Sequence, residues 1–185
     1  MGSDRFNDIM DYTEIENIIH GELMAIAQEL TSRGETIAAA ESLTGGLFSA
    51  LCVDIPGSSE WFMEGFITYS LKAKIERLGV PAELIEKNSM IDAEVALEMA
   101  KGALKASGAD YAVSMTGLAG PFFHSDGTPY PIDPRHIPGL LFVACACDKG
   151  ETVHRFVLTG TRGEIRRNAV LKAVQLLKNV MHSEE

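Results

Sequence analysis

The sequence predicts one layered α/β domain built around a mixed β-sheet. Short apolar stretches typical of strands alternate along the 185 residues with amphipathic stretches typical of helices. Near the end of the chain, two apolar stretches flank the turn Asp148-Lys149-Gly150, which indicates an antiparallel hairpin. The hairpin makes the sheet mixed rather than purely parallel, and no linker-like tract divides the sequence into two domains.

The N-terminal part of the chain predicts a helix, a buried strand and a second helix. Residues 1–12 are polar and are expected to form a flexible segment ahead of a domain over residues 13–182. Thr13 and Glu16 have the spacing of a capping box, so the first helix should begin there. The expected elements are a helix from Thr13 to about Ser32, a strand Thr36–Ala40, a turn over residues 41–46 and a helix to about Val53.

The middle of the chain predicts short helices between two strands. Pro81 has the fixed backbone angle that suits the first turn of a helix, and Asp92 can cap the helix that follows it. The expected elements are a strand Trp61–Tyr69, a helix Leu71–Leu78, a short helix after Pro81, a helix from Asp92 to about Ala106 and a strand Tyr111–Met115.

The C-terminal part predicts the hairpin and one long helix. The two hairpin strands are expected at Gly139–Cys147 and Thr152–Leu158. Thr161 and Glu164 form a second capping-box pattern, so the last helix should begin there and continue to about Met181.

The composition excludes several functional classes. Three cysteines are too few for the disulfide framework of a small secreted protein, and the first residues lack the apolar core of a signal peptide. No apolar run is long enough to span a membrane. The net charge of −10 argues against nucleic-acid binding, which usually needs a basic surface. We therefore expect a cytoplasmic protein that binds neither membranes nor nucleic acid.

The turn over residues 41–46, between a strand and a helix, is the strongest local signal for chemistry. Ligands of open α/β sheets bind beyond the carboxyl ends of strands, and glycines such as Gly45 and Gly46 let the backbone approach a ligand. Ser42 in this turn can attack a carbonyl carbon while nearby amides hold the oxyanion. The alternative is that Ser42 or Thr44 only caps the following helix.

Lys74 lies beside the apolar stripe of the helix predicted at Leu71–Leu78. Leu71, Ile75 and Leu78 define that stripe, and Lys74 flanks it more closely than Lys72 does. A lysine amine that enters a cleft loses its charge easily and can then act as a general base. The alternative is a side chain that extends along the stripe to reach water.

Two arginines are predicted on the apolar face of the last helix. At 100° per residue, Arg162 and Arg166 both point near the middle of the face formed by Ile165, Ala169 and Ala173. A buried charge needs a partner, and a phosphate suits the planar fork of arginine. The alternatives are that both side chains extend past the helix end or pair with acidic residues of the fold.

A further candidate is the strand that runs into the turn Thr116-Gly117-Leu118-Ala119-Gly120-Pro121. Its hydroxyl and amides can contact a ligand, although an ordinary tight turn looks similar. The histidines and cysteines show no spacing typical of a metal site, and no phosphate-binding glycine loop is present. We therefore expect neither a metal nor a cofactor.

Six motifs in this order resemble one family, the CinA C-terminal domain family of nicotinamide-nucleotide amidohydrolases. The motifs are Ala40-Glu41-Ser42-Leu43-Thr44-Gly45-Gly46, Pro56-Gly57-Ser58-Ser59, Gly65-Phe66-Ile67-Thr68-Tyr69-Ser70, Ala73-Lys74-Ile75, Leu78-Gly79-Val80 and Thr116-Gly117-Leu118-Ala119-Gly120-Pro121. The resemblance covers residues 15 to 180 and implies a three-layer α/β/α sandwich that needs no metal. It implies hydrolysis of the carboxamide of nicotinamide mononucleotide to the carboxylate and ammonia.

The resemblance also implies roles for particular residues. Ser42 would be the nucleophile and Lys74 its base, with Tyr69 as a third catalytic residue. The residues expected to contact an anionic nucleotide substrate are Thr44, Gly45, Gly46, Thr116, Gly117, Gly120, Arg162 and Arg166. The protein is also expected to form a homo-oligomer.

The sequence departs from the family pattern at Leu43, where Cys is usual, at Ile91-Asp92, where Val-Ser is usual, and most extensively in one stretch. Gly120-Pro121-Phe122-Phe123 stands where a Gly-Pro-Gly-Gly turn is usual, and the proline-rich loop that follows reaches Pro138. The apolar side chains of this loop predict that it packs, and we expect residues 121–138 to form the variable wall of the site. The stretch 121–141 is also the ground for an alternative function, a domain that binds a nucleotide or a protein partner without catalysis.

Overall fold

The computed structural model describes residues 12–120 and 137–183. Five strands and six α-helices follow one another as α1 (Thr13–Arg33), β1 (Ile37–Glu41), α2 (Leu47–Val53), β2 (Phe62–Ile67), α3 (Leu71–Leu78), α4 (Ala82–Asn88), α5 (Ala93–Ser107), β3 (Tyr111–Gly117), β4 (Leu140–Cys147), β5 (Gly150–Val157) and α6 (Arg162–His182). One turn of 3-10 helix at Ser58–Glu60 precedes β2.

The strands form one mixed sheet in the order β2-β1-β3-β4-β5. The strands β2, β1 and β3 run parallel, whereas β4 is antiparallel to β3 and to β5. The hairpin predicted from the turn at Asp148 to Gly150 is therefore confirmed. Because β1, β2 and β3 run in the same direction, their carboxyl ends meet at one edge of the sheet, where ligands bind in folds of this type.

Helices cover both faces of the sheet, so the three-layer arrangement is confirmed. Along β1, Ile37 and Ala39 pack under α1, α2 and α6, while Ala38 and Ala40 face α3, α4 and α5. This alternation follows from the two-residue period of a strand that is buried on both faces. All five residues of β1 are buried, which explains why the strand reads as an uninterrupted apolar run up to Glu41.

Small residues let the helices approach the sheet and each other. A Cβ atom on Gly102 of α5 would lie 2.1 Å from the carbonyl oxygen of Leu78, the last residue of α3. Only glycine permits this contact, which presses α3 against α5 and directs Lys74 of α3 inward.

The element boundaries agree with the predicted ones to within about two residues. Gly34, Gly79 and Gly108 end helices in the left-handed conformation, and Thr161 with Glu164 forms the predicted capping box of α6. The capping box predicted at Thr13 and Glu16 is wrong. Tyr12 occupies the cap of α1 without a side-chain bond, and the Glu16 carboxylate instead accepts a hydrogen bond from Arg167 of α6 at 2.7 Å.

Candidate active site

The candidate site lies at the carboxyl ends of the parallel strands. Ser42 directly follows β1, Tyr69 follows β2 and Gly117 ends β3, so three strand ends converge on one cavity of about 180 Å³. The N-terminus of α6 supplies Arg162 from the side. The described residues that line the cavity are Ser42, Leu43, Tyr69, Met90, Ile91, Gly117, Leu118, Ala119, Gly120 and Arg162.

Ser42 and Lys74 form a buried pair beside this cavity. The Lys74 Nζ atom lies 2.9 Å from the Ser42 Oγ atom and 2.6 Å from the carbonyl oxygen of Thr68, to which it donates a hydrogen bond. Lys74 is fully buried and Ser42 nearly so. The two residues stand 32 positions apart in the chain, and the packing of α3 against the sheet brings them together.

Burial lowers the pKa of Lys74 to about 8, from its ordinary value of 10.5. The cause is the loss of water around the ammonium, because the charged form is less stable in an apolar environment. No carboxylate among residues 12–120 and 137–183 forms an ion pair with Lys74 that would counter this effect. Lys72, two residues earlier, is exposed and pairs with Glu76. Of the two lysines, Lys74 is the one that lies in the interior beside the cavity, and its side chain does not extend to water.

Glu41 holds the turn that carries Ser42. Its carboxylate is fully buried and accepts hydrogen bonds from the amides of Gly46, Phe48 and Ser49 at 2.9–3.1 Å, and from the Ser49 hydroxyl at 2.6 Å. These amides belong to the start of α2, where unpaired N–H groups favour a negative charge. The backbone carbonyl of Glu41 also accepts from the Thr68 amide at 2.8 Å. Glu41 therefore connects the turn that carries Ser42 to Thr68, whose carbonyl accepts a hydrogen bond from Lys74.

The two glycines of the turn shape its backbone. Gly45 and Gly46 both adopt positive φ angles, which strain any other residue. The Gly45 amide donates to the Ser42 carbonyl at 3.2 Å, and the Gly46 amide donates to Glu41. Both amides therefore donate within the turn, and an oxyanion held by amides at Thr44 to Gly46 or around Thr116 stays a prediction.

Arg166 braces the same turn from α6. Its Nε atom donates to the Leu43 carbonyl at 3.1 Å and its Nη2 atom to the Thr44 carbonyl at 2.6 Å. Two backbone carbonyls thus accept hydrogen bonds from Arg166, and contact of Arg166 with an anionic substrate stays a prediction. Thr44 itself is fully buried, and its hydroxyl is without a hydrogen-bond partner among the described residues.

Arg162 differs from Arg166 in its surroundings. It is the first residue of α6, it is exposed at the rim of the cavity rather than packed on the apolar face, and no described residue is paired with its guanidinium. It is also the one charged side chain among the described lining residues. A free guanidinium at the mouth of a cavity is well placed to bind an anionic group.

The other predicted site residues divide into lining residues and buried supports. Tyr69 lines the cavity and is 60% exposed, and Gly117 and Gly120 form the wall after β3. Thr116 is fully buried, and its hydroxyl donates to the carbonyl of Met90 at 2.9 Å. Direct contact of Thr116 with a substrate stays a prediction, as do the roles of Tyr69, Gly117 and Gly120.

Sequence reasoning missed two residues that organise the site. The sequence pattern places Glu41 only in the turn, although an acid that ends a fully apolar strand just before a helix start is a signal for such a contact. Thr68 was treated only as a strand residue, and no local pattern indicates that its carbonyl holds Lys74. Residues 121–136 lie outside the described residues, so the predicted variable wall is not located here. Residues 1–11, the expected flexible segment, lie outside them too.

The chain is similar to proteins of one family along most of its length. The model of the CinA C-terminal domain matches residues 22–181. The nicotinamide-nucleotide amidohydrolase PncC of Escherichia coli (strain K12) is 41% identical over 153 residues, which cover 82% of this chain and 88% of that protein.

Solved structures show the same fold. The competence/damage inducible protein CihA from Agrobacterium tumefaciens is 34% identical, with a TM-score of 0.78 over 87% of this chain and 94% of that one. The competence damage-inducible protein A (ComA) from Klebsiella pneumoniae is 28% identical, with a TM-score of 0.79 over 89% of this chain and 97% of that one. Sequence and structure agree in this assignment, and the chain belongs to the CinA C-terminal domain family.

Proposed function

We propose that this protein hydrolyses the carboxamide of a nicotinamide nucleotide to the carboxylate and ammonia. The observation that carries the proposal is the contact of 2.9 Å between Ser42 Oγ and Lys74 Nζ beside a cavity. The substrate class comes from the relative PncC, whose name is that of a nicotinamide-nucleotide amidohydrolase. Arg162 at the rim of the cavity supports an anionic substrate.

In the first half of the reaction, Ser42 attacks the carboxamide carbon. Lys74 in its neutral form accepts the proton of the Ser42 hydroxyl, while it still donates to the Thr68 carbonyl. The C–N bond then breaks, and the leaving nitrogen takes the proton from Lys74 to depart as ammonia. The product of this step is an ester between Ser42 and the nicotinate group.

In the second half, water hydrolyses the ester. Lys74, neutral again, accepts a proton from the water that attacks the carbonyl carbon, and it returns this proton to the Ser42 oxygen as the bond breaks. In both halves a negative charge develops on the carbonyl oxygen. The amides of Leu43 and Thr44 are available to stabilise it, because no described residue accepts a hydrogen bond from either of them.

The nucleophile is Ser42 rather than a cysteine in this proposal. Cys52 on α2 is fully buried, and burial together with the nearby charge of Glu41 raises the pKa of its thiol well above the usual value. A thiol that stays protonated and closed to substrate is a poor nucleophile. The proposed chemistry also needs no metal or cofactor, since a serine and a neutral amine supply both the nucleophile and the base.

Arg162 recognises the phosphate of the nucleotide in this proposal. The guanidinium stands at the N-terminus of α6, where the helix dipole adds to its positive charge. The pyridine ring then enters the part of the cavity formed by uncharged residues, among them Tyr69, Ile91 and Leu118. This assignment separates the two ends of the substrate, with the anion at the rim and the amide beside Ser42.

The proposal includes a cytoplasmic location and a homo-oligomeric state. The three cysteines all lie in the described part of the chain and form no disulfide, which suits a reducing compartment. Within the described residues, no helix combines the length and the apolar character that a membrane span requires.

The test is ammonia release from nicotinamide mononucleotide by the wild type and by Ser42→Ala. The wild type is expected to release ammonia and Ser42→Ala to lose nearly all activity. Ser114→Ala is the matched control, because Ser114 is equally buried but donates to the Ala96 carbonyl of α5 outside the cavity. Full activity of Ser42→Ala contradicts the mechanism. Tight binding of the mononucleotide by the wild type without turnover indicates the non-catalytic alternative.

A further inference from the structure

Exposed apolar side chains are concentrated around the edge strand β2. Among the described residues, nine large hydrophobic side chains are exposed, and five of them lie between positions 53 and 71. They are Val53 at the end of α2, Met63 and Ile67 on β2, and Tyr69 and Leu71 just after it. Tyr69 lines the candidate cavity, and Leu71 begins α3 on the other face of the sheet. Met63 and Ile67 lie on the α2 side of β2, where Val53 also lies, and apolar side chains exposed together typically mark a surface that another molecule covers.

The opposite edge of the sheet is protected in the way that free edges usually are. The strand β5 carries Glu151, His154 and Arg155, and Glu151 pairs with Lys101 at 2.8 Å. Charged side chains on an edge strand prevent it from pairing with another strand. On β2 the one charged residue is Glu64, and Met63 and Ile67 are more than half exposed. Within the part of the chain that the structure describes, the two edges therefore differ, and β2 has the less charged and more apolar edge.

The backbone of β2 can pair with a second copy of itself. The Thr68 amide points toward β1, because it donates to the Glu41 carbonyl at 2.8 Å. Since the direction alternates along a strand, the polar backbone groups of Ile67 and Gly65 point away from β1, and no residue among 12–120 and 137–183 forms a hydrogen bond with them at the edge.

A two-fold axis through Gly65 gives a favourable set of neighbours. In this antiparallel register, Met63 of one copy lies opposite Ile67 of the partner subunit, and the reverse pair forms as well. Glu64 lies opposite Phe66 of the partner subunit, so no two carboxylates of the strand face each other. One strand thus supplies both halves of an apolar contact, which favours a second copy of this chain over an unrelated partner.

We propose that two copies of this protein associate through antiparallel pairing of their β2 edges about Gly65. The joined sheet has ten strands, and α2 of each copy lies on the same face beside the two-fold axis. Ala50 and Val53 of α2 are exposed and small, so the two helices can approach each other there. The surface goes beyond the proposed function, and its test does not depend on activity.

The first experiment measures the molar mass in solution by sedimentation velocity at micromolar concentration. The wild type is expected to sediment as a dimer and the double variant Met63→Lys, Ile67→Lys as a monomer. Val157→Lys is the matched control, because Val157 is 47% exposed on the opposite edge, and its mass should remain that of a dimer. A monomeric wild type, or a dimer that both lysines leave intact, overturns the proposal.

The second experiment tests the register with engineered cysteines. The double variant Met63→Cys, Ile67→Cys is expected to form a dimer linked by disulfides under oxidising conditions, since opposite residues in a strand pair stand about 5.5 Å apart. Each single variant should stay unlinked, because copies of one position stand four residues apart along the strand, roughly 13 Å. Pairing about Gly65 is contradicted if a single-cysteine variant forms the disulfide-linked dimer, or if the double variant does not.

Discussion

Replacing Lys74 with methionine should change how the stability of the protein depends on pH. In the folded state burial lowers the pKa of Lys74 to about 8, whereas in the unfolded chain it has its ordinary value of 10.5. Between these two values the unfolded chain binds more protons, so the free energy of unfolding rises with pH. Below pH 8 the wild type carries the full cost of a buried ammonium. Methionine has a similar shape and no charge at any pH.

The size of the effect follows from the two pKa values. A tenfold change in a protonation equilibrium is worth about 1.4 kcal/mol, so the full cost of the buried ammonium is about 3 kcal/mol. Of this, about 2–3 kcal/mol should disappear from the wild type between pH 7 and pH 10. The hydrogen bonds that the methionine cannot make, to Ser42 and to the Thr68 carbonyl, add a loss that does not follow this pH dependence.

The assay is urea unfolding followed by circular dichroism at pH 7, 8, 9 and 10. From pH 7 to pH 10, the unfolding free energy of the wild type should rise by about 2–3 kcal/mol relative to that of Lys74→Met. Lys72→Met is the control, because Lys72 is 77% exposed and its difference from the wild type should stay constant. A constant difference for Lys74→Met as well would refute a lowered pKa of Lys74.

The same ionisation should appear in the activity of the wild type. Only neutral Lys74 can accept the Ser42 proton, so kcat/KM for amide hydrolysis should rise about tenfold per pH unit below pH 8 and level off above it. A rate that is independent of pH between 6 and 8 argues against Lys74 as the base.

Four further changes probe the rest of the site. Arg162→Ala should weaken binding of the mononucleotide about tenfold to a hundredfold and leave the riboside unaffected, because a charge-assisted hydrogen bond contributes about 1.5–3 kcal/mol; calorimetry with both ligands measures this, and equal losses would mean a structural role. Arg166→Ala should lower kcat equally for both ligands, since it braces the Ser42 turn, and a loss confined to the mononucleotide would show phosphate binding instead. Glu41→Gln should lower kcat about a hundredfold with little change in KM, because small misplacements of the nucleophile are costly. The buried control Ser114→Ala should lose stability without losing kcat. A loss of kcat in both variants would contradict a positioning role for Glu41. Replacing residues 122–138 with a short glycine-bearing turn should change substrate preference, and unchanged kinetics on every substrate would place that loop away from the site.

Most helices and strands could be predicted because their boundaries depend on neighbouring residues. Gly79 ends α3 in the left-handed conformation, and Asp92 caps α5 with a bond to the amide of Glu94. These contacts span two to four residues, so the local sequence contains both partners. The capping box predicted at Thr13 is wrong because a distant residue is involved: its expected partner Glu16 accepts a hydrogen bond from Arg167 of α6.

The motifs indicated which residues belong to the site, but not what each of them contacts. Ser42 and Lys74 were both identified, and the turn glycines and Arg166 were assigned to the substrate. In the structure Arg166 contacts the carbonyls of Leu43 and Thr44, more than 120 residues away in the chain. Helical periodicity gives the direction of a side chain on its own helix, and it gives no information on which loop that face meets.

The sequence by itself therefore determined the order of the elements and the family, and it predicted Ser42 and Lys74 as the nucleophile and base. Only the tertiary structure decided that Lys74 is fully buried, that Glu41 holds the start of α2, and that Arg162 lines the cavity while Arg166 contacts the turn. The physical reason is the range of the interactions. Caps, turns and periodicity act over a few residues, whereas burial, pKa and the partner of a long side chain depend on which helix packs against which face of the sheet.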